Sequence, residues 1–182
     1  MKLEQPAVQR LKREVIYEGR VITLVRDELL CNGHRLRRDT VLHPGSVVII
    51  ALVDRDHLVL VRQYRRAIER TLLELPAGTL GKGETPLRCA KRELEEETGW
   101  TAKTWTRLGG IYPAPGLLSE QMTFFLATAL TQRQAHPEPD EVLVPVVLSL
   151  KHAFAAIRSG EICDAKTIVG VLWATEPRRL RR

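Results

Sequence analysis

Cysteine is scarce: Cys31, Cys89 and Cys163 are the whole complement of a 182-residue chain. They are odd in number, far apart and form no Cys-x-x-Cys pair, so they indicate neither a disulfide framework nor a zinc site. Aromatic residues make up only 5% of the chain. No apolar run approaches the roughly 20 residues of a membrane-spanning helix. The opening "MKLEQPAVQRLKREV" is charged throughout and lacks the apolar centre of a signal peptide, so a cytoplasmic location is expected. There is no internal repeat and no low-complexity tract.

What is there has the balance of an ordinary globular protein, 44% hydrophobic and 27% charged. The length suits one main domain, with room for a small appendage. The net charge of +6 raises the question of a polyanionic partner. Part of that excess lies in the terminal "PRRLRR", read as a solvated basic tail over residues 176–182. More lies in "RLRR" at 35–38 and "RQYRR" at 62–66, clusters that also suit a polyanionic small molecule. No helix-turn-helix and no aromatic RNA-binding motif accompanies the charge, so nucleic acid is not the expected partner.

Between Glu14 and Val41 the pattern is one of short strands around the turn signal Asn32-Gly33, which predicts a small antiparallel sheet. Pro44-Gly45 breaks it, dividing a strand segment, 1–44, from a main domain, 45–175. There "SVVIIALV" (46–53) is almost wholly apolar, as a strand buried on both faces must be. Further strands are expected at 57–65, at 71–78 as far as Pro76, near "WTRLGGIY", at "QMTFFLATAL" and at "EVLVPVVLSL". "SLKHAFAAIRSGEI" and "DAKTIVGVLWATE" carry apolar positions at helical spacing, so a mixed sheet between helices is expected.

One further helix carries unusual chemistry. Thr85 suits its N-cap, Pro86 its first position and Gly99 the position past its end, which places it at 86–98. At about 100° per residue, Leu87, Ala90 and Leu94 form its core stripe. Glu93, Glu96 and Glu97 share an arc beside that stripe, and Glu95 points away. Carboxylates at these spacings repel one another, and the helix C-terminus adds to the penalty. Arg92 meets Glu96, but one arginine does not neutralise three acids. A solvated acidic face is the simpler reading. The position beside the core, after the glycine-rich "AGTLGKGE", favours a hard divalent cation such as Mg²⁺ or Mn²⁺. Such an ion screens a phosphate anion and activates water.

Gly78, Glu84, Arg92, Glu93, Leu94, Glu96, Glu97 and Gly99 stand at the spacing of the Nudix box, which the stretch resembles. Seven of these positions together arise by chance with odds on the order of 10⁻⁸ at ordinary residue usage. Trp100 departs from the pattern, where an aliphatic residue is usual. The resemblance implies an α/β fold, a Nudix-type α/β/α sandwich with a mixed sheet, and a Mg²⁺- or Mn²⁺-dependent hydrolase of nucleoside diphosphates linked to another group. It makes Glu93, Glu96 and Glu97 metal ligands, joined by the Ala77 carbonyl, and has Arg92 orient a glutamate.

Beyond the box, "VRQYR", "LLELPAG", "YPAPGLLSE" and "GEICDAKTI" look like the ADP-ribose pyrophosphatase subfamily. That likeness implies cleavage of ADP-ribose to AMP and ribose 5-phosphate, with sugar-nucleotide diphosphatases of the GDP-mannose type sharing much of the pattern. A non-catalytic Nudix module binding ADP-ribose or RNA is a third reading, against which the intact acids stand. Arg38 and Arg65 suit the diphosphate. Pro115 is the subfamily's mark after the box, and the likeness makes Pro115 and Gly116 substrate-binding residues. Tyr64 is the first candidate to stack on adenine, and Tyr17 and Tyr112 are others, though core or edge packing is the preferred reading of all three. The subfamily takes its general base from an acidic loop, here "AHPEPDEVLV", which points to Glu141, then Glu138, then Asp140. Val144 stands where relatives often carry a glutamate, and His136 is read as an exposed loop residue. Subfamily members pair through an N-terminal sheet, so a homodimer is expected.

Overall fold

Asn32 and Gly33 both take positive φ, 51° and 79°, the backbone of a two-residue hairpin turn. They join β2 (Thr23–Cys31) to β3 (His34–Leu42), with Cys31 opposite His34. A computed structural model describes residues 8–133 and 143–175, which fall into two compact units. The first holds residues 8–45 with Tyr112–Gln121. Its three strands run in the order β1-β2-β3, all antiparallel, where β1 is Val8–Glu18. This strand starts six residues before the Glu14 expected from pattern, because Val8 to Arg13 pair with Cys31 to Asp27 despite their charge.

Among the described residues, three ion pairs cross these strands. Arg13 grips Asp27 through two bonds of 2.7 Å, Arg26 grips Asp39 at 2.7 and 2.8 Å, and Arg37 meets Glu28 at 3.2 Å. The Arg13 hydrogen bonds hold the Asp27 carboxyl below its ordinary range. In the same unit the Val41 N–H donates to the Leu117 carbonyl, and the Ser119 N–H to that of Val41, both at 2.9 Å.

The second unit is built on β4 (Ser46–Leu52), buried along its whole length. The strand order is β10-β5-β4-β9-β8, with β5 at His57–Arg65, β8 at Trp100–Ile111, β9 at Met122–Gln132 and β10 at Leu143–Ser149. The β4–β9 pair is parallel and the others are antiparallel, so the sheet is mixed, as expected. Side chains of β4 alternate between two cores. Val48, Ile50 and Leu52 pack with Ala153 and Ala156 of α2 (Leu150–Ser159) and Val171 and Ala174 of α3 (Ala165–Ala174). Val47, Ile49 and Ala51 pack with Cys89, Ala90 and Leu94 of α1 (Pro86–Thr98). The result is an α/β/α sandwich. No helix among the described residues is long and apolar enough to cross a membrane.

The strand expected at 71–78 is two strands, β6 (Arg70–Glu74) on β5 and β7 (Ala77–Thr79) on β4. Pro76 has no N–H to give a ladder and divides them, while its carbonyl accepts from the Ile49 N–H at 2.9 Å.

Candidate functional site

The caps of α1 are those read from sequence: the Thr85 side chain accepts from the Arg88 N–H, Pro86 opens the helix, and Gly99 closes it at φ 69°. The stripe differs in one member. Leu87 is 39% exposed, because it lies in the first turn and is not among the residues packed on the sheet. The buried positions are instead Cys89, Ala90, Glu93, Leu94, Glu97 and Thr98, so two of the acids lie within the stripe itself.

Glu97 is 1% exposed and Glu93 8%. Buried carboxylates need partners. One oxygen of Glu97 accepts from the Ala77 N–H at 3.2 Å, which places the helix's last turn beside β7. Glu93 lies against Gly78, where a Cβ would fall 1.9 Å from its carboxyl carbon. Only a residue without a side chain leaves that space.

Arg92 gathers the other acids. Its guanidinium donates to both oxygens of Glu84 at 3.1 Å and to Glu96 at 2.8 Å, and it lies 2.8 Å from Glu93. Hydrogen bonding to Glu84, then to Glu96, holds Arg92 above the usual arginine range. The Arg92 hydrogen bonds to Glu84, with one from the Gly81 N–H, lower Glu84 from 4.5 to about 2. The Cys89 thiol is pushed up to about 12 by burial and then by Glu93, so it stays neutral. Glu95 points away, as expected, and meets Arg133 at 3.5 Å.

A pH dependence follows from Glu84. Its folded-state pKa lies below the unfolded value, so its stabilising contribution is present above pH 4.5 and is lost as pH falls toward 2. Urea unfolding should show wild type losing more stability than Glu84→Gln between pH 5 and pH 3. Equal losses would mean that the Arg92 pairing does not perturb Glu84.

Hard oxygen donors fit a divalent cation here. Glu93 and Glu97 stand one helical turn apart on the buried face of α1, beside the Ala77–Gly78 backbone, and Glu96 completes the acidic arc. As they stand, no three acid, histidine or cysteine side chains among the described residues are grouped to hold one metal ion. Glu84, Glu93 and Glu96 instead turn toward Arg92.

Arg65 lies on β5 with its guanidinium bonded to both oxygens of Glu74, at 2.8 and 2.6 Å. Glu74 also accepts from Lys166 of α3, and both Glu74 and Lys166 are buried. Burial opposes the charge on Glu74, but Arg65 and Lys166 together hold its pKa below the ordinary value. Glu74, Asp164, Lys166 and Thr167 had no role assigned from sequence. The available signal was an acid placed among the apolar residues of "TLLELP". Tyr64, Tyr17 and Tyr112 are 46%, 59% and 56% exposed, so packing does not account for them. Arg38, Pro115 and Gly116 lie in the first unit, Arg38 on β3 and the other two in an exposed turn. Glu138, Asp140, Glu141 and His136 lie outside the described residues.

An α/β/α sandwich with an acid-bearing helix against a glycine-containing strand defines the class of protein. The chain belongs to the NUDIX domain family, whose pattern matches residues 42–167. It is 40% identical over 164 residues to the ADP-ribose pyrophosphatase of Bacillus subtilis, covering 88% of this chain and 89% of that one. To the ADP-ribose pyrophosphatase of Mycobacterium tuberculosis it is 36% identical over 169 residues, covering 90% and 81%. The crystal structure of an ADP compounds hydrolase superposes with a TM-score of 0.80 at 27% identity, covering 94% of this chain and 93% of that one.

Proposed function

We propose that the chain hydrolyses the diphosphate bond of ADP-ribose, yielding AMP and ribose 5-phosphate, with Mg²⁺ or Mn²⁺ held by Glu93, Glu96, Glu97 and the Ala77 carbonyl. The observation that carries this reading is the burial of Glu93 and Glu97 against Ala77 and Gly78. It occurs in a chain 40% identical to an ADP-ribose pyrophosphatase. A bound divalent cation supplies a Lewis acid for the phosphoryl oxygens and lowers the pKa of water.

The chain's own residues do the rest. Arg92, anchored by Glu84, fixes the rotamers of Glu93 and Glu96. Arg65 is oriented by Glu74, with its side chain 39% exposed, and serves to take up diphosphate charge; Arg38 is a further candidate for that charge. Exposed Tyr64 offers a stacking face, and Pro115 and Gly116, in an exposed turn, are candidates for substrate contact. Glu141 takes the proton from the attacking water, with Glu138 and then Asp140 as the next choices.

Product analysis tests the reading directly. Purified protein with Mg²⁺ should convert ADP-ribose to AMP and ribose 5-phosphate faster than it cleaves GDP-mannose or a triphosphorylated RNA. Faster cleavage of GDP-mannose would move the assignment to sugar-nucleotide diphosphatases. Glu141→Gln should lower turnover by about 10²-fold, the scale of a general base. If Glu138→Gln alone does so, the base is Glu138.

The protein acts as a homodimer joined through the N-terminal segment 1–44. Support comes from β1, exposed along its whole length, including Val8, Leu11, Val15, Ile16 and Tyr17. Light scattering should give twice the 20.6 kDa chain mass, and Val15→Asp should return it toward one. A monomeric wild type would remove the dimer.

A further inference from the structure

The strand segment that touches both buried site acids is held from its other end by α3. The Thr167 hydroxyl accepts from the Leu75 N–H at 2.8 Å and donates to Asp164 at 2.6 Å. Asp164 is the N-cap of α3, taking the Thr167 N–H at 3.0 Å. Lys166 bridges Asp164, at 3.0 Å, to Glu74. Thr167 is fully buried and Leu75 is 1% exposed. Gly170, one turn further along α3, leaves room for Leu75, since a Cβ there would fall 2.2 Å from Leu75 Cδ1.

This arrangement is more elaborate than packing requires. Two cations, Arg65 and Lys166, face two carboxylates, Glu74 and Asp164, and the single Thr167 hydroxyl proton is committed to Asp164 while its lone pair takes the Leu75 N–H. Buried networks satisfied in this way add rigidity more reliably than stability. The rigid element is short. From Glu74 and Leu75, Pro76 leads straight to Ala77, whose N–H meets Glu97, and to Gly78, which lies against Glu93.

We propose that Lys166 and Thr167 are positioning residues: they clamp Glu74 and Leu75, and through Pro76 set where Ala77 and Gly78 stand relative to Glu97 and Glu93. The inference rests on the reading of Glu93 and Glu97 as the site for a divalent cation. Lys166 is 6% exposed and Thr167 fully buried, so neither offers a surface to substrate. They act two residues away through the backbone, as the outer partners of a ligand set do, whose loss typically costs about 10–100-fold in metal affinity or activity.

Thr167→Val keeps the shape and removes the hydroxyl, whereas Thr167→Ser keeps the hydroxyl. Lys166→Met supplies an independent arm if the valine variant folds poorly. Three readouts are compared on the full chain: amide exchange across 74–79 in metal-free protein, Mn²⁺ affinity by direct titration, and kcat and KM for ADP-ribose. Thr167→Val and Lys166→Met should each exchange at least about tenfold faster in that segment, with β8 unchanged. They should bind Mn²⁺ about tenfold more weakly and lose about tenfold or more in kcat, with KM altered far less. Thr167→Ser should restore all three. A lower Tm with exchange, Mn²⁺ affinity and kcat intact would reduce the cluster to a fold-stabilising role and overturn the proposal. Should wild type neither bind Mn²⁺ nor cleave ADP-ribose, the proposed function fails, and the exchange comparison alone decides the clamp.

Discussion

Glu97→Gln is expected to lower turnover of ADP-ribose by about 10³-fold or more, corresponding to about 4 kcal/mol of transition-state stabilisation, in a protein that folds as well as wild type. The side chain is 1% exposed and one oxygen accepts the Ala77 N–H. Glutamine has the same shape and retains an amide oxygen for that bond, so the contact to β7 survives. What disappears is a negative charge in the last turn of α1, where the helix dipole already disfavours it. Without metal, relief from the dipole offsets the lost attraction to Arg65, so the variant should be about as stable as wild type. Thermal melts separate the two roles. Mn²⁺ should raise the Tm of wild type, because it binds the folded state alone, and should raise that of the variant much less. Unchanged turnover would remove Glu97 from the metal site.

Gly78→Ala should cost roughly 10²–10³-fold in activity while shifting stability little. A methyl group at this position would lie 1.9 Å from the Glu93 carboxyl carbon and 2.0 Å from an oxygen. The colliding atoms are the Glu93 carboxylate and its Cγ, at 2.3 Å, so relief takes Glu93 out of the rotamer that Arg92 holds while the backbone stays. The cost then falls on the position of the carboxylate, and a displacement of about 1 Å can cost about 10²-fold in rate. Urea unfolding and kcat measured together test this. A large loss of stability would mean that Glu93 is locked by its neighbours and the backbone moves instead.

The acidic helix was legible because its signals are local. Thr85, Pro86 and Gly99 mark its ends within a few residues, and the spacing of Glu93, Glu96 and Glu97 follows from the helical repeat. The apolar run of β4 likewise announced a strand covered on both faces, and the sheet does cover it with α1 on one side and α2 and α3 on the other. Sequence pattern and structure differ where position along an element or pairing at a distance decides. Leu87 has the right angle for the core but sits in the first turn, and β1 extends to Val8 because β2 pairs with it there.

By itself, then, the sequence determined the helix, its caps, its acids and the family pattern from Gly78 to Gly99, since each depends on residues a few places apart. Only the tertiary structure decided that Glu93 and Glu97 are the buried acids, that Arg92 is shared among Glu84, Glu93 and Glu96, and that Arg65 is bound to Glu74. It alone joined Lys166 and Thr167 to Glu74 and Leu75, 92 residues away. Those pairings require three elements to close on one another, and a buried charge finds its partner only after the chain has folded around both.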